Sequence, residues 1–158
     1  MAKSKAPNAS GIKILVDTVT AGVADGSPVA IGHVDSVGTI VDKSRDTTKY
    51  TPMNDTQYDE IIALGSLSQA AFSMSVLYDP EGSEGINILE DAIDTNSDVQ
   101  IIIELNNKLD ATGTGTTIKQ ICGVSNFKVD GEKNGKLKSS FNAERIGLAT
   151  VAAATAGV

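Results

Sequence analysis

Tryptophan is absent, histidine and cysteine occur once each, and three Phe and three Tyr make up only 4% of the 158 residues. With His33 alone, no His-His or His-Glu-His metal set can exist. Lying among apolar residues, it reads as a core or wall residue rather than a catalyst. Cys122 has no partner for an internal disulfide, which fits a reducing compartment. Its run Ile121-Cys122-Gly123-Val124 makes it a small hydrophobe rather than a nucleophile. Six scattered aromatics supply neither a stacking platform for single strands nor the convergent aromatics of a ligand pocket. Positive charge is also short: 13 Lys and Arg against 20 Asp and Glu leave −7, the wrong sign for a protein that binds by neutralising phosphates.

Long apolar runs are missing as well. No stretch approaches the roughly eighteen residues that span a bilayer, and Met1 to Gly11 carries two lysines but no apolar signal core. The expectation is a chain made and kept in a cytoplasm, with no membrane insertion, which disfavours secreted pilins and toxins. Chemical motifs fail in the same way. Asp110 to Thr117 is glycine-rich, but it lacks the Gly-Lys-Ser/Thr ending of a phosphate loop and leads into a strand, so it reads as a flexible turn. Asp130, Glu132, Asn134 and Gly135 echo the start of a calcium loop, yet the twelfth position is Phe141, and a hairpin turn fits better. No carboxylate pair stands out as a general acid and base. The reading is therefore not an enzyme, with no catalytic, cofactor-binding or metal-ligating residue assigned and no cofactor implied.

What the chain does have is aliphatic alternation. Its length fits a single domain, residues 1–158, with 41% hydrophobic residues to form a core. Ile12, Ile14 and Val16 share one face of a first strand, with Lys13 and Asp17 opposite. Val29, Ile31 and His33 line a second, and Tyr58, Ile62 and Leu64, with Glu60 among them, suggest a third. The clearest run is Ala70 to Tyr78, where Phe72, Met74, Val76 and Tyr78 alternate with small residues. One helix follows, capped by Asp79 with Pro80 in the first turn, or by Ser83 slightly later. Ile86, Leu89 and Ile93, with Ala92 beside them, make its apolar stripe. Gly82 and Gly85 weaken its start and late acids oppose its dipole, so packing must hold it.

Val99, Ile101, Ile103 and Leu105 define another strand, with Ile102 partly buried on its second face. Asn106 to Thr116 is turn material. A long strand from Thr117 to Val129 changes its apolar face near Gly123, as a bulge would require. Gly131 and Asn134-Gly135 turn the chain, and Leu137 to Leu148 returns antiparallel. The fold class expected is mainly β: an antiparallel β-sandwich or barrel with one flanking α-helix. Residues 1–11 form an N-terminal arm and 149–158 a small-residue tail expected to be held by neighbouring chains. Residues 35–57 read as a long polar loop, and loops of that length are usually functional or disordered.

Acids cluster between Asp79 and Asp110, where Lys108 is the lone base, while the remainder is nearly balanced. A solvated helix face explains this, and a surface to which DNA does not stick is the functional reading. Asp17, Glu60 and Glu104 lie on strand faces, though their pattern does not say which face is inner.

The centre of the chain, Gln69 to Glu104, resembles siphophage tail tube (major tail) proteins: an alternating strand ending in Tyr78-Asp79-Pro80, a short acidic helix ending near Ile93, then Val99 to Leu105. Val34 to Thr51, with Lys43-Ser44-Arg45-Asp46-Thr47-Thr48, is similar to that family's polar loop after an early strand. Ile61 to Gly65 is similar to its approach to the central strand, and Gly123 to Val129 with Phe141 to Gly147 to its closing strands. The likeness covers residues 28 to 149 or so and rests on element order. It implies a self-assembling tube subunit: hexameric rings stacked into a hollow phage tail, with residues 35–57 as an arm between subunits. Implied partners are copies of itself, tail terminator and tail tip proteins, and, in the lumen and without specific binding, a tape measure protein and DNA. The place would be the virion tail, assembled in the host cytoplasm. A contractile injection or type VI secretion tube is the near alternative. A monomeric β-sandwich ligand-binding module and an unrecognised enzyme are the more distant ones.

Overall fold

The computed structural model describes residues 11–50, 61–79, 81, 84–131 and 135–157. In chain order its elements are β1 (Lys13–Thr20), β2 (Val23–Ala24), β3 (Val29–Ala30), β4 (Val34–Val37), β5 (Ser44–Tyr50), β6 (Ile61–Ser68), β7 (Phe72–Leu77), α1 (Glu84–Thr95), β8 (Asp98–Glu104), β9 (Thr117–Asp130) and β10 (Lys138–Ala152). Mainly antiparallel β-structure with one helix is thus the observed architecture.

The large sheet runs β2-β1-β8-β9-β10-β7-β4, with β3 also pairing β1. Because β3 pairs β1 and β4 pairs β7, the single run 29–37 touches both ends of the sheet and curls it into a barrel. Among the described residues the hydrogen-bonded path ends in β2 and β3 on one side and in β4 on the other. Alternation puts Ile14, Val16, Val99, Ile101, Ile103, Ile118, Cys122, Phe141 and Ala143 inside, together with Phe72, Met74 and Val76 of the clearest predicted strand. Phe72 and Phe141 pack at 6.3 Å between ring centroids, tilted by 50°, within the range of favourable aromatic pairs.

The predicted face change on β9 is present, but the bulge lies at Ser125. Asn142 pairs Asn126 and Ala143 pairs Val124, leaving Ser125 over. That extra residue moves the inward positions from even (118, 120, 122, 124) to odd, so that Phe127 packs against the core while Val129, near the strand's end, is exposed. A second irregularity separates Ile146 from Thr150. There the buried Gln120 amide donates to the Ile146 carbonyl at 2.9 Å and the Gly147 carbonyl at 3.3 Å, meeting groups the ladder leaves unpaired.

Helix α1 packs across β1, β3, β8 and β9. Ile86, Leu89 and Ala92 are buried, whereas Ile93 is exposed: the contact centres on the Ala92 side of the expected stripe. Gly85 permits the contact, since a Cβ there would lie 2.6 Å from the Ala30 carbonyl oxygen. The helix end solves its dipole problem without a basic residue. Ser97 N–H donates to Ala92 O (2.9 Å) and Asn96 N–H to Ile93 O (3.3 Å), with Asn96 at φ 51°, a Schellman cap. Pro80, Gly82 and Ser83, named for the helix start, lie outside the described residues.

Several expectations are corrected. The Val29-Ile31-His33 strand is only two residues long, because Gly32 at φ 105° breaks the alternation. Ile31 is buried, but His33 is exposed, not a core or wall residue. The third strand begins at Ile61, beyond Tyr58 and Glu60, which lie outside the described residues. The segment 35–57 is not one loop: it holds the end of β4 and all of β5, which pairs β6 in a separate two-stranded ribbon. Its polar Ser-Arg-Asp-Thr-Thr-Lys sequence hid a strand because both ribbon faces are solvated, so no apolar alternation is needed. The arm 1–11 lies outside the described residues except for Gly11.

Candidate functional site

The β5–β6 ribbon is the part of the described chain that the barrel does not explain. Ser44 pairs Ser68 at its base and Tyr50 pairs Ile61 at the far end, and no third strand joins either edge among the described residues. An isolated two-stranded ribbon is marginal in water. This one exposes Leu64 (65%) and Leu67 (42%), with Val41 at its root.

Three devices fasten that root. Ser44 Oγ lies 2.7 Å from Ser68 Oγ, and the Asp42 carboxylate accepts the Ala70 N–H at 2.5 Å. The third is Arg145 on β10. Its Nε donates to the Ala70 carbonyl and its Nη1 to the Ile40 carbonyl, both at 2.9 Å, and its Nη2 donates to the Thr39 carbonyl. The guanidinium also sits 5.9 Å from the Phe72 ring centroid. One side chain thus grips the strand entering the ribbon and the strand leaving it.

The second assembly of polar groups is at the glycine-rich loop, which is not the flexible turn expected. Leu105 N–H donates to Thr116 O (2.9 Å), Thr116 N–H to Asn107 Oδ1 (2.8 Å) and Gly115 N–H to Glu104 Oε1 (3.2 Å). The loop then receives the C-terminal segment. Thr114 and Thr155 exchange backbone hydrogen bonds at 3.1 and 3.0 Å, and Asp110 accepts the Gly157 N–H at 3.0 Å. Gly113 and Gly157 are needed for the approach: a Cβ would lie 2.1 Å from Thr155 O and 1.9 Å from Thr112 Oγ1, respectively. Residues 149–157, expected to be held by neighbouring chains, are thus held by their own: Thr150, Val151 and Ala152 continue β10 against β9, and the rest is clasped.

The residues weighed for chemistry do not converge. His33 lines a shallow groove with Gly32, Val34 and Asp35, while Cys122 is fully buried on β9. Burial pushes its thiol up to about 12, against a smaller opposing pull from Arg145, so thiolate is scarce at neutral pH. Of the acids considered for an inner wall, Asp17 is buried, not solvent-facing, because the β2–β3 connection folds back and Gly26 N–H donates to its Oδ2 at 2.9 Å. Glu104 is half-buried and engaged by Gly115 and by Lys108 at 3.4 Å. Glu60, like Glu132 and Asn134 of the calcium-like turn, lies outside the described residues. Glu90, Asp91 and Asp94 are exposed on α1, as read. Among the described residues no three His, Cys, Asp or Glu side chains gather to hold a metal, and no helix is long and apolar enough to cross a membrane. Sequence reasoning missed Arg145; its one signal was a base in mid-strand between Glu144 and Ile146.

No known family's sequence signature matches this chain, and no curated protein matches it in sequence. Solved structures do match in shape. The sheath/tube terminator of an extracellular contractile injection system, PVC, in its extended state superposes with a TM-score of 0.65 at 15% identity, over 96% of this chain and 100% of that one. The SPP1 tail tube gives 0.61 at 15% identity, over 89% and 75%. A protein of the six-fold symmetrised anti-feeding prophage baseplate gives 0.61 at 10% identity, over 94% and 98%. The chain has the fold shared by phage tail tube proteins and by tube-associated components of contractile injection systems.

Proposed function

We propose that this chain is a structural virion protein that assembles into hexameric rings, which stack into the hollow phage tail tube through which DNA passes into the host. The observation that carries the reading is the β5–β6 ribbon. It stands off the main sheet, it exposes Leu64 and Leu67, and no third strand joins it among the described residues. Such an element is stabilised when another copy covers it or continues its ladder. A head-to-tail contact of this kind closes a ring or propagates along an axis. Ile146, Leu148 and Val151 on β10 are also exposed, and further copies could cover them.

Net charge of −7 suits a conduit whose wall repels DNA, so that the polymer slides without being bound. On this reading the partners are further copies, terminator and tail tip proteins at the two ends, and a tape measure protein and DNA in the lumen. The site is the virion tail, and synthesis and assembly take place in the host cytoplasm. The likeness to the PVC terminator favours one second reading, a tube component of a contractile injection or type VI secretion system. A monomeric ligand-binding module is less well supported: the grooves of about 670 Å³ beside His33 and about 440 Å³ beside Glu104 are lined by no Phe or Tyr. Negative-stain images of the purified chain over a concentration series are expected to show rings or tubes. A single-domain particle at every concentration contradicts the proposal.

A further inference from the structure

We infer that Arg145 is the positioning residue of the assembly arm: its guanidinium sets the angle at which the β5–β6 ribbon leaves the barrel, and so decides whether a second copy can dock. This rests on the self-assembly reading, and deepens it.

The ribbon joins the barrel through two irregular segments, one through Thr39 and Ile40, the other through Ala70. Nothing helical stiffens either. Gly38 N–H donates to Ser73 O at 2.8 Å and Ile40 packs against the core, which anchors the incoming connection alone; to hold the ribbon at one angle, a single group must tie both connections to the barrel wall. Arg145 does this. It belongs to β10, paired with Cys122 in the middle of the sheet, and its donors reach carbonyls of both segments. The rigid planar fork reaches three carbonyl acceptors, and its central carbon lies 5.9 Å over the ring centroid of the buried Phe72, within cation–π range. A lysine keeps the charge but offers a point donor on a flexible stem. Ala70 is gripped twice, its carbonyl by Arg145 and its N–H by Asp42.

Arm direction matters because a repeating contact is exacting. An error in the angle of one docking element is repeated by every subunit, and a ring closes only if the rotation is right. An arm that samples many angles also loses conformational entropy on docking that a fixed arm does not.

The test compares the full-length chain with Arg145→Lys and Arg145→Ala. Spin labels are placed at cysteines introduced for Thr48 on the ribbon and Lys128 on β9, with Cys122 too buried to compete. The labelled barrel distance is read by pulsed electron resonance on unassembled protein, and assembly is followed by light scattering and imaging. The parent should give one narrow distance. Arg145→Lys should broaden it, keep the native circular dichroism, and raise the concentration needed for assembly by roughly tenfold or more. A purely structural Arg145 would lower the melting temperature without broadening the distance in the folded state. A folded Arg145→Lys chain with an unchanged distance, or with a broadened one and unaltered assembly, overturns the inference. If the parent never assembles, the tube reading falls, and the inference with it. If Arg145→Ala fails to fold, Arg145→Lys still decides.

Discussion

The Asp110 carboxylate accepts the backbone N–H of Gly157, 47 residues further along the chain, and so ties the C-terminal segment to the loop between β8 and β9. The same carboxylate receives the N–H groups of Thr112 and Gly113 at 3.0 and 2.6 Å.

Those donors, Gly157 first and Gly113 next, hold the Asp110 pKa below its ordinary 3.8. A depressed folded-state pKa stabilises the clasp above the ordinary carboxylate range, and the effect is lost as pH falls through the lowered value. Hydrogen exchange at Gly157 is therefore expected to be slow from neutral pH down to the carboxylate range and to accelerate only below it. Asp110→Ala should show fast exchange there at every pH while the barrel amides stay protected. Equal protection in the variant contradicts the clasp.

Ala21 and Gly22 connect β1 to β2 with φ 51° and 79°, the geometry of a type I′ turn. Alanine has no device to offset the left-handed conformation, whereas asparagine does. Ala21→Asn is expected to stabilise by about 0.5–1 kcal/mol, seen as a higher urea midpoint at unchanged slope.

Ser139 and Phe141 both point into the core from β10, with opposite consequences. Ser139 Oγ is fully buried without a hydrogen-bond partner among the described residues. Ser139→Ala should thus be neutral or stabilising by up to about 1 kcal/mol. Phe141, 2% exposed and packed on Phe72, should cost about 3–5 kcal/mol as Phe141→Ala. Chemical denaturation of both variants measures the contrast.

Cys122 should resist thiol reagents in the native state, because it is buried and its thiol titrates near 12. Labelling should then follow opening of the barrel and accelerate with denaturant. Rapid labelling of native protein at neutral pH would contradict its placement.

Excising residues 44–68 and joining the root through a short glycine turn should leave a folded chain, since Ser44 pairs Ser68 and the ends already lie together. β4 must be spared, because Val34 and Val37 pack on the core. Sedimentation is expected to find a monomer at concentrations where the parent assembles. Tubes of normal length from the excised chain would rule out the ribbon as an assembly arm.

Most barrel strands were legible because a half-buried strand writes its own period-2 signature, and β7, β8, β9 and β10 each do. α1 was legible from its 3.6-residue stripe, although the contact, not the stripe, chose Ala92 over Ile93. The ribbon was not, because a two-sided polar strand needs no alternation. Asp17 misled because it occupies the polar face of β1, yet that face is covered by the β2–β3 connection.

The sequence by itself determined the strand-rich class, the one helix and the closing hairpin, since each is set by residue type and local spacing. Only the tertiary structure decided that 29–37 touches both ends of the sheet, that the C-terminal segment is clasped by its own chain, and that Arg145 grips carbonyls 75 and 106 positions away. The reason is physical. Periodicity records which residues meet solvent, whereas a hydrogen bond from a side chain to a distant backbone carbonyl leaves no mark on the identity of the residue that accepts it.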